Sequence, residues 1–293
     1  MQALLAESPV TFVALAFVFS LLVGSFLNVV IYRLPVMMEK AWRAEAAEIL
    51  AEPADDLPEG RFDLVQPRSR CRSCGTQITA MQNIPVISYL ILGGKCAHCG
   101  TRISARYPAV ELLTAVLSAV VAFRFGLGAE AAVGIAITWV LVAISVIDID
   151  HQIIPDSMAL PLLWAGLIAS LFHPVAGAES LFIDPKTSIV GAAVGYLSLW
   201  SVYHLFRLIT GKEGMGHGDF KLLGAFGAWL GWQMLPLIIL LSAVVGAIIG
   251  IGMIALRGHD RNIPIPFGPY LAAAGWIAML YGEQIVTSYL QLF

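Results

Sequence analysis

The stretch "AEAAVGIAITWVLVAISVIDIDHQIIPDS", residues 129–157, sets the problem. Positions 129–147 are apolar after Glu130, with the length a chain needs to cross hydrocarbon, roughly 20 residues. Then come Asp148, Asp150 and Asp156 within nine positions. Ionisable groups at the depth or edge of a bilayer are costly and mark functional sites.

The rest of the chain repeats the apolar pattern. Of its 293 residues 58% are hydrophobic and 13% charged, with a mean hydropathy of +0.81. Soluble domains carry about 25% charged residues. The fold class is therefore an all-α polytopic membrane protein. The clearest runs are 10–32, 107–123, 129–147, 157–172, 188–208 and 235–256, and 222–234 and 267–281 are shorter or interrupted by glycine. They predict eight transmembrane helices. The first run lacks the basic start and the Ala-x-Ala exit of a cleaved signal peptide.

Ten of the 17 Lys and Arg lie in 33–106. In an eight-span topology Arg207, Lys212, Lys221, Arg257 and Arg261 share that side, giving fifteen, against Arg124 and Lys186 on the other. The positive-inside rule makes the fifteen-cation side cytoplasmic and turns both termini outward.

Residues 33–106 form the sizeable soluble insert. "MMEKAWRAEAAEILAE" (37–52) reads as a short amphipathic helix and "PADDLPEGRFD" (53–63) as a loop. All four cysteines follow, as "CRSCG" (71–75) and "CAHCG" (96–100). Two CxxC knuckles with a glycine after each have the spacing of a tetrahedral four-cysteine zinc site. Disulfides are disfavoured by a cytoplasmic location. With Cys71, Cys74, Cys96 and Cys99 filling the tetrahedron, His98 is a bystander and the zinc is structural.

Among the acidic residues near the spans, topology sorts the candidates. The third span ends at Asp148, and "GMGHGDFK" (214–221) places Asp219 at the start of the sixth, on the same cytoplasmic edge. Two carboxylates sharing a site cannot both ionise cheaply, so the pair can act as base and acid on one water. That is the arrangement of an aspartic protease. Gly214, Gly216 and Gly218 suit a close backbone approach there. Asp150 points away from Asp148 on a helix. Asp156, with Ser157, reads as an N-cap of the next span. Glu111 is open between pairing with Arg106 and a role against a neighbouring helix. Asn28 reads as helix–helix glue. His217 has no partner at ligand spacing and reads as a non-participant.

With these motifs in view the chain resembles the bacterial type IV prepilin peptidases, membrane aspartic proteases of the GxGD type. "GSFLNVVIYRLP" (24–35), "PRSRCRSCG", "NIPVISYL", "KCAHCGTRISARYPAVELLTA", "DIDHQIIPD" (148–156), "GHGDFK" (216–221) and "IPFGPYLA" (265–272) carry the likeness over nearly the whole length. Arg72 stands where the family often has proline. The resemblance implies removal of the leader from prepilins and from type II secretion pseudopilins. It implies N-methylation of the new N-terminus with S-adenosylmethionine. It also implies catalysis by Asp148 and Asp219 and zinc on the four cysteines. The implied location is the bacterial inner membrane, with membrane lipid and pilin substrates as partners and no nucleic acid. The expected organisation is a first helix at 1–32, a zinc-binding insert at 33–106 associated with methyl transfer, and a protease core at 107–293. The methyl-donor site is unknown, since no glycine-rich nucleotide fingerprint follows a strand. An ion- or proton-coupled transporter using the same carboxylates is the alternative, and a non-catalytic zinc-ribbon scaffold a third reading.

Reporter fusions after residue 60 and after residue 177 should report opposite sides of the membrane. The same side for both would overturn the eight-span topology and separate the two aspartates.

Overall fold

The structure is a computed structural model and describes residues 8–50, 61–173, 183–257 and 265–291. Arg261 and the loop expected at 53–60 lie outside the described residues. Among those described, the architecture is helical, and β structure is confined to two isolated bridges, Arg70 with Gln77 and Lys95 with Arg102. The chain divides into two compact units, 1–123 and 124–293.

The first unit is built on α1, Pro9–Leu50, whose 42 residues make a rod about 63 Å long at 1.5 Å per residue. The expected span at 10–32 and the expected amphipathic helix from 37 are one continuous element. It runs through Pro35. Proline removes one helical hydrogen bond and strains one turn, and the Ala- and Glu-rich sequence beyond it, all good helix formers, carries the helix on. A short helix α2, Ile87–Ile91, and the long α3, Arg106–Phe125, follow. Ser20 and Gly24 are buried on α1, and a Cβ on Gly24 would come 2.7 Å from the Cα of Glu111. Small residues let the two helices approach closely, the usual device where lipid supplies no hydrophobic contrast. One turn further along α1, Asn28 Nδ2 donates to the Tyr107 carbonyl at 3.1 Å, so it is the interhelical glue the sequence suggested.

Where α1 leaves the apolar zone it supports the insert. Buried Arg33 donates to the carbonyls of Asp63 (2.8 Å) and Pro67 (2.5 Å). Lys40 lies 4.7 Å from the Phe62 ring centroid and Arg72 3.9 Å from that of Tyr32, both cation–π contacts. The Asp63 carboxyl is lowered to about 2 by backbone N–H bonds from Gln66 and Val65 and by Arg61.

The second unit contains α4 (Ala129–His151), α5 (Asp156–Ser170), α6 (Pro185–Thr210), α7 (His217–Leu230), α8 (Leu235–Arg257) and α9 (Gly268–Leu290). Helix α7 is its core: Asp219, Phe220 and every residue from Leu222 to Trp229 are buried, and α5, α6 and α9 pack around it. Gly191 of α6 and Gly227 of α7 meet backbone to backbone, so a Cβ on either would collide with the other's carbonyl group. Ser188 Oγ donates to the Ala228 carbonyl (2.7 Å), and Trp229 Nε1 donates to Leu162 O on α5 (2.8 Å). Each bond crosses between helices and satisfies a polar group that lipid would leave bare.

All eight predicted spans are helical, but their lengths differ. Among the described residues, five helical stretches are long and apolar enough to cross a membrane: Pro9–Leu50, Arg106–Phe125, Ala129–His151, Pro185–Thr210 and Trp232–Met253. Helices α5 and α7 have 15 and 14 residues. At 1.5 Å per residue they reach only about 21–23 Å, short of a hydrocarbon core of about 30 Å.

Gly191→Val should destabilise the protein by about 1–3 kcal/mol or more, because the overpacked contact is backbone on backbone and cannot yield. Gly252→Ala, where a new Cβ meets nothing within 4 Å, should be neutral or slightly stabilising. Thermal unfolding in detergent compares the two.

Candidate active site

One helix end and two helix starts build a buried carboxylate site in the second unit. Helix α4 ends on "VIDIDH", with Asp148 buried and Ile149 and Asp150 exposed. Gln152 closes α4 in the left-handed region (φ 56), returning its N–H to the Asp148 carbonyl at 2.8 Å. That reversal sends Ile153–Pro155 straight into α5. The Asp148 side chain is held from a third direction: Gly268 N–H, at the start of α9, donates to Oδ2 at 3.0 Å. The first N–H groups of a helix have no intrahelical partner, and a carboxylate is their natural acceptor.

Asp219 enters from α7. Gly216 is the N-cap, and its backbone N–H hydrogen-bonds the Asp219 carboxylate. In return Asp219 N–H donates to Gly216 O at 3.3 Å. This is half of a capping box: the third-position aspartate reaches back to the N-cap N–H, while the glycine N-cap has no side chain to return the bond. Asp219 Oδ1 is buried with no hydrogen-bond partner among the described residues. The charge of Asp148 acts on Asp219, so the two carboxylates lie within electrostatic reach of each other.

Ile154 fits between the two motifs. A Cβ on Gly218 would come 2.6 Å from Ile154 Cβ, and one on Gly268 would come 3.0 Å from Ile154 Cδ1 and 2.7 Å from Asp148 Oδ2. Gly218 and Gly268 are therefore glycines for space. None of Gly214, Gly216 and Gly218 adopts a positive φ.

One sequence reading changes, and one left open is resolved toward a neighbouring helix. Asp156 does not cap α5; the N-cap position is Pro155, without a side-chain bond. Its carboxylate takes both bonds from Lys221 Nζ, at 2.5 and 2.7 Å. That ion pair joins the segment after Asp148 to the segment after Asp219. Glu111, in the first unit, accepts the Val86 N–H at 2.8 Å and a hydrogen bond from Ser25. His217 is exposed, and its ring packs on Tyr203 (5.0 Å) and Phe220 (5.5 Å). Sequence reasoning gave Gly268 no role. Its one signal is a glycine before Pro269 at the first turn of an apolar helix, where a free N–H is available.

The first unit holds the second cluster. The two knuckles repeat one design. Gly75 (φ 71) and Gly100 (φ 72) return their N–H to Cys71 O and Cys96 O, both at 2.9 Å. Cys71 N and Cys96 N donate to Thr76 O and Thr101 O. Cys74 Sγ and Cys99 Sγ each lie 3.3 Å from the hydroxyl of Thr76 or Thr101. Hydrogen bonding with the Thr101 side chain and backbone lowers the Cys99 thiol to about 6, the direction that favours a metal-binding thiolate. The four Sγ atoms lie within 4.8 Å of one another, with Cys71 and Cys99 at 3.8 Å. A tetrahedral ion with bonds of about 2.3 Å sets its sulfurs about 3.8 Å apart, so the cluster fits a metal ion.

The fold and site define a polytopic helical membrane protein with a buried carboxylate pair and a four-cysteine cluster. Residues 18–125 match the Bacterial Peptidase A24 N-terminal domain, and residues 135–251 match the Type IV leader peptidase family. A Prepilin leader peptidase/N-methyltransferase of Stutzerimonas stutzeri is 55% identical over 288 residues, covering 98% of this chain and 96% of that one. Proteins of the same name from Pseudomonas aeruginosa (54%, covering 98% and 96%) and Aeromonas hydrophila (52%, covering 97% and 96%) are similar to the same extent. No solved structure matches. The chain belongs to the type IV leader peptidase family.

Replacing Cys71 and Cys74 together by serine should release the bound metal, because two thiolates cannot close a tetrahedron. His98→Ala should retain it. Elemental analysis of the purified proteins distinguishes the two.

Proposed function

We propose that this chain is a membrane aspartic endopeptidase that removes the leader from type IV prepilins and type II secretion pseudopilins. It acts at the cytoplasmic face of the bacterial inner membrane and then N-methylates the new N-terminus. The observation that carries the reading is the meeting of Asp148 and Asp219 at adjoining helix ends, with one buried Asp219 oxygen unengaged. Near-full-length identity to proteins named prepilin leader peptidase/N-methyltransferase supports it.

Asp148 and Asp219 are the proposed catalytic pair. One carboxylate takes a proton from water as its oxygen bonds to the scissile carbonyl carbon. The other carboxyl gives its proton to the carbonyl oxygen. Collapse of the tetrahedral species breaks the C–N bond: the proton taken from water goes to the departing amine, and the hydroxyl that re-forms the C=O returns its proton to the second carboxylate. Gly268 N–H and Gly216 N–H orient the two side chains through this sequence. The protease core is assigned to 107–293.

The metal on Cys71, Cys74, Cys96 and Cys99 is proposed to be Zn2+. Four thiolates leave no position for water or substrate, so its part is to hold the insert's fold. S-adenosylmethionine is the proposed methyl donor, following the names of the relatives. Among the described residues there is no strand and glycine-rich turn of the nucleotide-binding kind. The transporter alternative has no support in the relatives, which are named as peptidases.

Asp148→Asn and Asp219→Asn should each abolish cleavage of a leader-bearing prepilin, while Asp150→Asn, on the exposed face, keeps most of it. An active Asp148→Asn enzyme would overturn the pair. Lys221→Asp should lower kcat much more than it raises KM, by loosening the alignment of the two segments. Combining it with Asp156→Lys should recover part of the loss. A double variant no better than Lys221→Asp alone would remove the ion pair from the site's support.

A further inference from the structure

Residues 84–92, "IPVISYLIL", fall in the insert read from the sequence as soluble, yet they carry a cluster of exposed apolar side chains. Ile87, Leu90 and Ile91, all on α2, are 54%, 70% and 79% exposed, and nearby Met81 is 75% exposed. Large aliphatic side chains left bare together mark an interaction face.

The tether of this segment fixes its depth. Val86 sits at φ 58, a region that β-branched residues rarely adopt. Its N–H is bonded at 2.8 Å to the carboxylate of Glu111. Glu111 is five residues into α3, a membrane-length helix that starts at Arg106, which puts it about 7.5 Å along the axis. Arg and Tyr at 106 and 107 are residues of the interface. The polar layer of a bilayer is about 5–8 Å thick on each side. Val86 is thus held at the boundary between headgroups and acyl chains, and α2 continues from it.

Charge points the same way. From residue 64 to residue 110 the sequence has Arg68, Arg70, Arg72, Lys95, Arg102 and Arg106 and no Asp or Glu. A basic collar around an apolar tip matches an anionic lipid surface, where each cation near the headgroups adds about 1 kcal/mol. It does not match the acyl region alone.

We infer that residues 84–92 are an interfacial anchor, with Ile87, Leu90 and Ile91 seated in the lipid boundary and the cations of 68–106 on anionic headgroups. The second CxxC knuckle, four residues beyond Leu92, is thereby held against the membrane surface. Continuity with the lipid-facing end of α3 identifies lipid as the occupant. The inference stands apart from the proposed catalytic activity.

The test uses the full chain reconstituted in vesicles of phosphatidylethanolamine and phosphatidylglycerol. A membrane-partitioning carbene photolabel is activated and located by peptide mass spectrometry. Peptides containing 84–92 should be labelled as strongly as those from 107–123, and several-fold above 61–80. Leu90→Gln with Ile91→Gln should lose the label at 84–92 while keeping bound metal and the labelling of 107–123. Exchanging phosphatidylglycerol for phosphatidylcholine should weaken labelling at 84–92 alone. Labelling of 84–92 no higher than that of 61–80 would overturn the anchor. So would labelling that saturating prepilin removes, which would make the patch a substrate-docking face. Equal labelling in both lipid mixtures would overturn the role of the basic collar.

Discussion

A fourteen-residue helix buried along nearly all its length has to be admitted by its neighbours. Helix α7 is admitted by the backbone contact of Gly191 with Gly227. Where lipid offers no hydrophobic contrast, close packing and interhelical hydrogen bonds are what hold helices together. The Ser188 and Trp229 bonds supply the second of these on two sides of α7. Everything else about the carboxylate site follows from that lodging. Because α7 is fixed and covered, Asp219 at its third position is buried, and its cap bond with Gly216 turns it toward the end of α4. A looser α7 would let water solvate Asp219 and would remove the low-dielectric setting that the proposed pair needs to share one proton.

Much of this was legible beforehand, and the exceptions have physical causes. Apolar length located every helix of the second unit, because a hydrocarbon core imposes its own scale on the sequence. The same criterion said nothing about depth. It could not separate α7, short and enclosed by protein, from α8, which is long enough to cross. Hydropathy ended the first helix near residue 32, but helix propensity governs once the chain leaves lipid, and Ala and Glu carry α1 past Pro35 to Leu50. The cysteine cluster was readable because tetrahedral coordination leaves little freedom in spacing. Gly268 was not, since a backbone N–H has no letter of its own in a sequence.

The two clusters obey different electrostatics. The cysteines lie outside the apolar helices, where Thr76 and Thr101 pair with Cys74 and Cys99. Thr101 already holds Cys99 at about 6. Among the described residues the carboxylates have backbone donors, Gly268 and Gly216. Donors of that kind are fixed before a substrate arrives and need no reorganisation during a reaction. A site that forms and breaks bonds on an amide gains from such rigidity. A site that only closes a fold gains more from strong ligands, which is the division proposed here between proteolysis and metal.

The change in the reading of Asp156 shows how the site is braced. As an N-cap it would have stabilised α5 alone, a local effect worth about 1 kcal/mol. Paired with Lys221 it links two segments 65 residues apart, each of which leads away from one of the proposed catalytic aspartates. Exposed ion pairs contribute little to overall stability, so its value lies in register. Ile154, wedged between Gly218 and Gly268, sets the spacing from inside, while the ion pair sets it from the solvent side. With Gln152 closing α4 behind them, the four residues 153–156 have no slack to take up. A shift of α7 along its axis would have to break the ion pair and drive Gly218 into Ile154 together. The separation of Asp148 and Asp219 is thus fixed by the short connection between α4 and α5.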